Sequence, residues 1–217
     1  MTARRRSGLD YIRDPEAIYA QSFAEIARIE GVAALPEPVR PLATRIVHAC
    51  GMPDVLGDLR FSADIVDRTG AAFEAGADIF CDVETLRHGV MRQLLPQGCR
   101  LHCAIGDAQV AAYAHEHGMT RAAAQIDLWG ERLEGQIVAI GNAPTALFRL
   151  LELLDEGRVG RPAAVIAFPV GFVGAAESKA ELVRDARGMA HVTLLGRRGG
   201  TAMAQAALNA LAGGLAT

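Results

Sequence analysis

The sequence predicts a three-layer α/β fold: a mostly parallel sheet of about five strands with helices on both faces. Two observations carry this. After three helical segments, short apolar runs alternate with stretches of helical periodicity, the rhythm of repeated strand–helix units. The chain has 217 residues, 51% hydrophobic and 22% charged, the make-up of one soluble domain with a sizeable core. No linker, low-complexity segment or internal repeat interrupts it, so residues 1–217 read as a single domain.

Asp14-Pro15 opens the first helix, DPEAIYAQSFAEIARIEG, with Asp14 as N-cap, Pro15 at the first helical position and Gly31 as the stop. PEPVRPLATRIVHACG forms the second helix and ends at Gly51. Ser62 is the expected cap of the third, SADIVDRTGAAFEAG. The alternation then runs from DIFCD to VETLRHGVMRQLL, and from CRLHCAIG to DAQVAAYAHEHG and TRAAAQIDLWGERL. QIVAIGN precedes APTALFRLLELLDEG, PAAVIAFPV precedes AAESKAELVRDAR, and HVTLLGRRGG precedes TAMAQAALNALAG. Ligands of such folds bind beyond the carboxyl ends of the strands. Thr85 with its neighbours, GDA, GNAPT, PVGFVGAAES and GRRGGT all fall there. Their helix-start amides either favour anionic ligand groups or serve ordinary capping.

Several function classes are disfavoured. A formal net charge of −3 gives no general attraction to nucleic acid, and Trp129 and the scattered aromatics build no stacking platform for bases. The start MTARRRSG leads into no apolar stretch, so it reads as a frayed basic tail rather than a secretory signal. AAVIAFPVGFVGAA is too short, and too broken by Pro169, Gly171 and Gly174, to span a membrane. Four cysteines without a signal sequence point to reduced thiols and a cytoplasmic location. In CRLHC, Cys99 and Cys103 share one strand face and His102 takes the other, which is not a zinc spacing, so buried free thiols and no metal are expected. His115 and His117 close a helix and belong in solvent. The absence of G-x-S-x-G, Walker A and G-x-G-x-x-G motifs weakens hydrolase, kinase and dehydrogenase readings.

His48 is the residue whose placement matters most. Val39, Leu42, Ala43, Ile46, Val47 and Cys50 recur at helical spacing and define a buried stripe, with His48 on the opposite side. Thr44 and Arg45, one turn earlier, are expected on the face of His48. That disfavours a core histidine and leaves solvent or a pocket. In the last helical turn the dipole favours a protonated ring while Arg45 opposes it, and a side chain that titrates near pH 6.5 needs little to serve as acid or base.

Five segments, DYIRDPEAIYAQSF, RIVHACGM, IGNAPTALFRLLEL, PVGFVGAAESK and GRRGGTAMAQAALNAL, in this order and spacing resemble the precorrin-8X methylmutase family of cobalamin (vitamin B12) biosynthesis. The resemblance runs through nearly the whole chain. It implies an α/β homodimer and an isomerase that needs no methyl donor, nicotinamide or catalytic metal. The implied substrate is precorrin-8X, a tetrapyrrole-derived macrocycle bearing several carboxylates. Its methyl group on carbon 11 migrates to carbon 12 in a 1,5-sigmatropic shift that yields hydrogenobyrinic acid.

Carried over by position, the family's catalytic histidine falls on His48, its substrate-contacting arginine on Arg45 and its substrate-contacting serine on Ser22. TRAAA also matches, which makes Arg121 a candidate partner for a substrate carboxylate. Thr85, in DVETLRHGV, stands where relatives often carry an apolar residue and is either a ligand contact or a helix cap. Thr201 stands where serine is common. The DYIRDPEAIYAQSF opening resembles the branch that uses the metal-free substrate rather than the cobalt-containing one. A non-catalytic carrier of corrinoid intermediates is the alternative function, and a nucleotide-binding enzyme using GNAPT or GRRGGT is a third.

Overall fold

The computed structural model describes residues 9–213, so the arginine-rich start lies outside the described residues. All five expected strands are present: β2 (Ile79–Cys81), β3 (Leu101–His102), β4 (Ile137–Ile140), β5 (Ala164–Ala167) and β6 (Ala190–Leu194). They pair in parallel in the order β6-β5-β4-β2-β3. Their side chains alternate between two cores, as the two-residue strand period requires. Ile79, Cys81, Ile137, Ala139 and Ile166 face one core. Phe80, Val138, Ile140, Val165 and Ala167 face the other. Both faces are covered, which is why the strands read as unbroken apolar runs. Each fully buried Ile or Val there contributes about 1.5–3 kcal/mol.

Helices α3 (Arg40–Cys50), α4 (Ile65–Glu74), α5 (Glu84–Gly89) and α10 (Thr201–Leu211) supply the first core. Helices α7 (Arg121–Trp129), α8 (Pro144–Asp155) and α9 (Ala175–Arg184) supply the second, and α6 (Ala108–Glu116) packs on α7. The N-terminal helices α1 (Pro15–Ala27) and α2 (Glu30–Ala33) lie outside the first layer, against α3. Trp129 is buried and packs edge-to-face with Phe80.

A sixth strand, β1 (Leu59–Phe61), was not expected, and it matters for the site. It pairs antiparallel with the edge of β6, in the register Leu59↔Leu194 to Phe61↔Val192. The start of β1 therefore lies at the carboxyl end of the parallel strands, where Leu195 N–H donates to Asp58 O at 2.9 Å. The short 3-10 turn Pro53–Asp58 links α3 to this point. The end of α3 is thus brought to the sheet edge where α/β folds place ligands.

Asp14 caps α1 as expected, its carboxylate accepting from Glu16 N–H at 3.0 Å. Gly31 is not the stop, because α1 already ends at Ala27 and Gly31 belongs to α2, pressed against Leu56. Nor does Ser62 cap α4: its hydroxyl accepts from His191 N–H at 3.0 Å, tying the end of β1 to β6. Helix α4 instead starts after Asp64 without a side-chain cap. The second helix begins with a 3-10 turn at Glu37–Val39 and ends as expected at Gly51, whose φ of +66° suits glycine. The segment after β2 is shorter than expected, a helix that stops at Gly89 followed by a 3-10 turn at Arg92–Leu94.

Candidate active site

Helix α1 presents Tyr19, Ser22 and Phe23 on one side, neighbours at one-turn spacing. They meet Arg45 and His48 of α3. Ser22 Oγ lies 2.9 Å from His48 Nδ1. The imidazole sits against two aromatic rings, with centroids 5.0 Å away for Phe23 and 5.3 Å for Tyr19. Arg45 donates to the Tyr19 hydroxyl at 3.2 Å and lies over the Phe23 ring at 5.5 Å. Leu42, Ala43, Ile46 and Val47 are buried and His48 is exposed, as the periodicity requires. Thr44 departs from that pattern. It is buried, and its hydroxyl bonds back to Arg40 O at 2.8 Å, so the polar group is satisfied within the helix.

His48 and Ser22 open onto a cleft of about 420 Å³ whose walls include Ile26, Ile29, Val47 and Pro53. One ring nitrogen of His48 faces a hydroxyl that can donate or accept, so the Ser22 contact persists in both protonation states. Nε2 is then the nitrogen left for proton exchange. Glu25, which accepts from Gln21 at 2.8 Å, also lines the cleft, so the mostly apolar walls carry a hydroxyl, an imidazole and a carboxylate.

Thr85 and Arg121 are not part of this cluster within the chain. Thr85 is exposed on α5, does not cap that helix, and uses its carbonyl to accept from Gln205 Nε2 at 2.6 Å. Arg121 is exposed at the first position of α7, in the layer across the sheet from α3. Its neighbour Thr120 bonds Thr145, just past the carboxyl end of β4, which sets Arg121 on the same rim but on the far side.

The rim loops serve the chain's own needs more than the sequence suggested. The amides of Gly141, Asn142 and Ala143 in GNAPT all donate to the Asp82 carboxylate, at 2.9, 2.9 and 2.8 Å. Asp82 is fully buried. Burial raises its pKa, and the three amide donors pull in the opposite direction. This loop therefore offers no vacant anion cradle. The β5–α9 and β6–α10 loops are likewise laced together: Gly171 N–H donates to Arg197 O at 3.1 Å and Gly200 N–H to Phe168 O at 2.8 Å. A Cβ on Gly199 would lie 2.4 Å from Phe168 O, so only glycine fits that crossing. Buried Lys179 donates to Arg198 O at 2.5 Å, and burial lowers its pKa to about 8 against the opposing pull of Asp58. Arg198 in turn bonds Asp54 and Asp58, fastening the turn after α3 to the rim.

The cysteines are free. Cys81 is buried, whereas Cys99 and Cys103 are only half-buried, because the strand between them is just two residues long. Burial pushes the thiols of Cys99 and Cys103 up to about 11, which suppresses the thiolate at neutral pH. His102 takes the opposite face, stacking on Phe80 and bonding Asp78 at 2.8 Å. Among the described residues no group of three or more His, Cys, Asp and Glu side chains could hold a metal ion. His115 and His117 are exposed, the latter stacked on Tyr113.

A model of the precorrin-8X methylmutase family matches residues 17–213. The chain belongs to that family. A precorrin-8X methylmutase of Pseudomonas aeruginosa is 53% identical, over 94% of this chain and 98% of its own length. One from Sinorhizobium sp is 50% identical over 94% and 96%. A cobalt-precorrin-8 methylmutase of Salmonella typhimurium is 35% identical over 94% and 97%. The solved precorrin-8x methyl mutase from Thermus thermophilus aligns with a TM-score of 0.81 at 31% identity, covering 91% of this chain and 94% of that one.

In this member of the precorrin-8X methylmutase family the fold thus brings Ser22, Arg45 and His48 together and leaves Thr85 and Arg121 on other elements. The sequence reading passed over Tyr19 and Phe23, although AIYAQSF already places them on the side of Ser22. It also passed over Asp82, whose signal was a carboxylate directly after an apolar strand.

Proposed function

We propose that the chain is a precorrin-8X methylmutase, an isomerase of cobalamin biosynthesis. It moves a methyl group from carbon 11 to carbon 12 of precorrin-8X and forms hydrogenobyrinic acid. The observation that carries this reading is family membership together with a histidine held by a hydroxyl at an open cleft. The higher identity to relatives named for precorrin-8X than to those named for cobalt-precorrin-8 favours the metal-free substrate.

His48 acts as the acid. With Nδ1 turned to Ser22, Nε2 delivers a proton to the conjugated ring system, withdraws electron density from the migration site and recovers the proton afterwards. Acid catalysis of this kind contributes about two to four powers of ten in rate. Holding the macrocycle in a reactive shape supplies the remainder. The macrocycle is larger than the cleft, so one edge enters and the rest lies along the rim. Arg45 binds a peripheral carboxylate, and Thr85 and Arg121 are proposed contacts for more distant parts of the ring.

A single domain, a homodimer and a cytoplasmic location belong to the same proposal. Apolar side chains left exposed at Tyr11 and Ile12, just before α1, and at Ile18 on it support a partner copy. No helix of the described residues is long and apolar enough to cross a membrane.

The test is incubation of precorrin-8X with substoichiometric protein, followed by absorption and mass. Repeated conversion to the product spectrum at unchanged mass is expected. A spectral change that stops at one equivalent of protein would instead mark a carrier.

A further inference from the structure

We propose that Phe172 and Arg197 form a second binding contact for the substrate, on the rim beyond the His48 cleft. The Phe172 ring packs on the face of the macrocycle and the Arg197 guanidinium takes one of its carboxylates. This deepens the reading of the chain as a precorrin-8X methylmutase and rests on it.

Phe172 and Val173, at the tip of the β5–α9 loop, are 84% and 89% exposed, and Val170 at its base is exposed too. Large apolar side chains gathered in this way on a surface mark a place that something covers. The backbone beneath them is held. Val170 N–H donates to Asn142 O at 3.3 Å and Gly171 N–H to Arg197 O at 3.1 Å. At the other end Gly174 takes a φ of +78°, where a Cβ would lie 3.2 Å from the Phe148 ring. A tip fixed at both ends keeps its apolar side chains in solvent until a ligand covers them, and little ordering is lost when one does.

Two adjacent arginines on the neighbouring β6–α10 loop have different settings. Arg198 bonds Asp54 and Asp58, which ties the loop to the turn that begins with Pro53 in the cleft wall. Arg197 is exposed, lies 5.4 Å from the Phe172 ring centre and has no ion pair among the described residues. A guanidinium over an aromatic face keeps its N–H donors in its own plane, open to a bidentate carboxylate. An apolar ring with an unpaired cation beside it complements a conjugated macrocycle edged with carboxylates. The cleft of about 420 Å³ takes only one edge of such a ring. The tie through Arg198 sets Phe172 and Arg197 along the same rim, to meet the remainder.

The experiment compares wild type, Phe172→Ala and Arg197→Gln by KM for precorrin-8X and by the Kd of hydrogenobyrinic acid from absorption titration, with sedimentation at the assay concentration. Both side chains are exposed, so both variants should melt like wild type. Phe172→Ala is expected to raise KM and Kd by about tenfold. Arg197→Gln should raise both by about three- to tenfold and flatten the rise of Kd with salt. Unchanged KM and Kd in either variant overturns the proposal. So does a weakened affinity that accompanies a smaller sedimenting species and recovers at higher protein concentration, which would assign the tip to a second copy of the chain. A wild-type protein that turns over no precorrin-8X overturns the methylmutase reading itself, a failure recognised before any variant is made.

Discussion

Two polar centres lie near the same edge of the sheet, and they are built on opposite lines. Asp82 is fully buried, and the amides of three successive residues converge on its carboxylate. His48 is exposed at a cleft with one ring nitrogen engaged by Ser22 and the other left over. A group whose hydrogen-bonding capacity is saturated by its own backbone fastens loops. A group that is oriented but incompletely used is ready for chemistry. The comparison sets a structural acid apart from the proposed catalytic one, although both stand where α/β folds bind ligands.

The sharpest way to break the comparison is to exchange the expected consequences. His48→Ala should lower turnover by about two to four powers of ten while melting temperature and product affinity stay close to wild type. Near-normal steady-state turnover would remove the imidazole from the reaction. Asp82→Asn should do the reverse. An amide NH₂ would face backbone donors, costing on the order of 3 kcal/mol of stability, read by denaturant unfolding, with turnover per folded molecule retained. A stable but inactive Asp82→Asn protein would make that carboxylate part of the chemistry. Ser22→Ala comes next, with a loss of about tenfold in kcat and a smaller change in KM, since the ring loses its orienting partner but keeps Nε2.

The smallest effect concerns Lys179. Burial lowers its pKa to about 8 in the fold, below the 10.5 of an ordinary lysine. Between those values the folded protein has released a proton that the unfolded chain still holds, so this group makes stability rise as pH increases through that window. Lys179→Met should flatten that rise in a plot of melting temperature against pH. A slope identical to wild type would mean that the ammonium is not strained by its burial.

Much of the fold was legible because both sheet faces are covered, which turns QIVAIGN and PAAVIAFPV into continuous apolar runs. Strand β1 escaped notice because LRF is three residues long, pairs only at one edge and carries the exposed Arg60. The side taken by His48 followed from helical spacing alone. Its bond to Ser22 did not, since the two are 26 residues apart on different helices, and the family resemblance had assigned the Ser22 hydroxyl to the substrate rather than to the imidazole. Thr44 was misplaced because a hydroxyl that bonds the preceding turn can be buried like an apolar group. The amides of GNAPT looked available for a ligand because their true acceptor stands about 60 residues earlier, outside the reach of any local pattern.

The reversed direction of β1 has a consequence for how the candidate site tolerates change. Because the strand is pinned to β6 at one end and α3 is embedded in the core at the other, the Pro53–Asp58 turn works as a spacer of set length, cross-braced by Arg198. Lengthening or shortening that spacer would shift the imidazole relative to the rim loops, while Pro53 is its one residue in the cleft wall. Variation among functional sequences should accordingly collect in outer loops and avoid this connector.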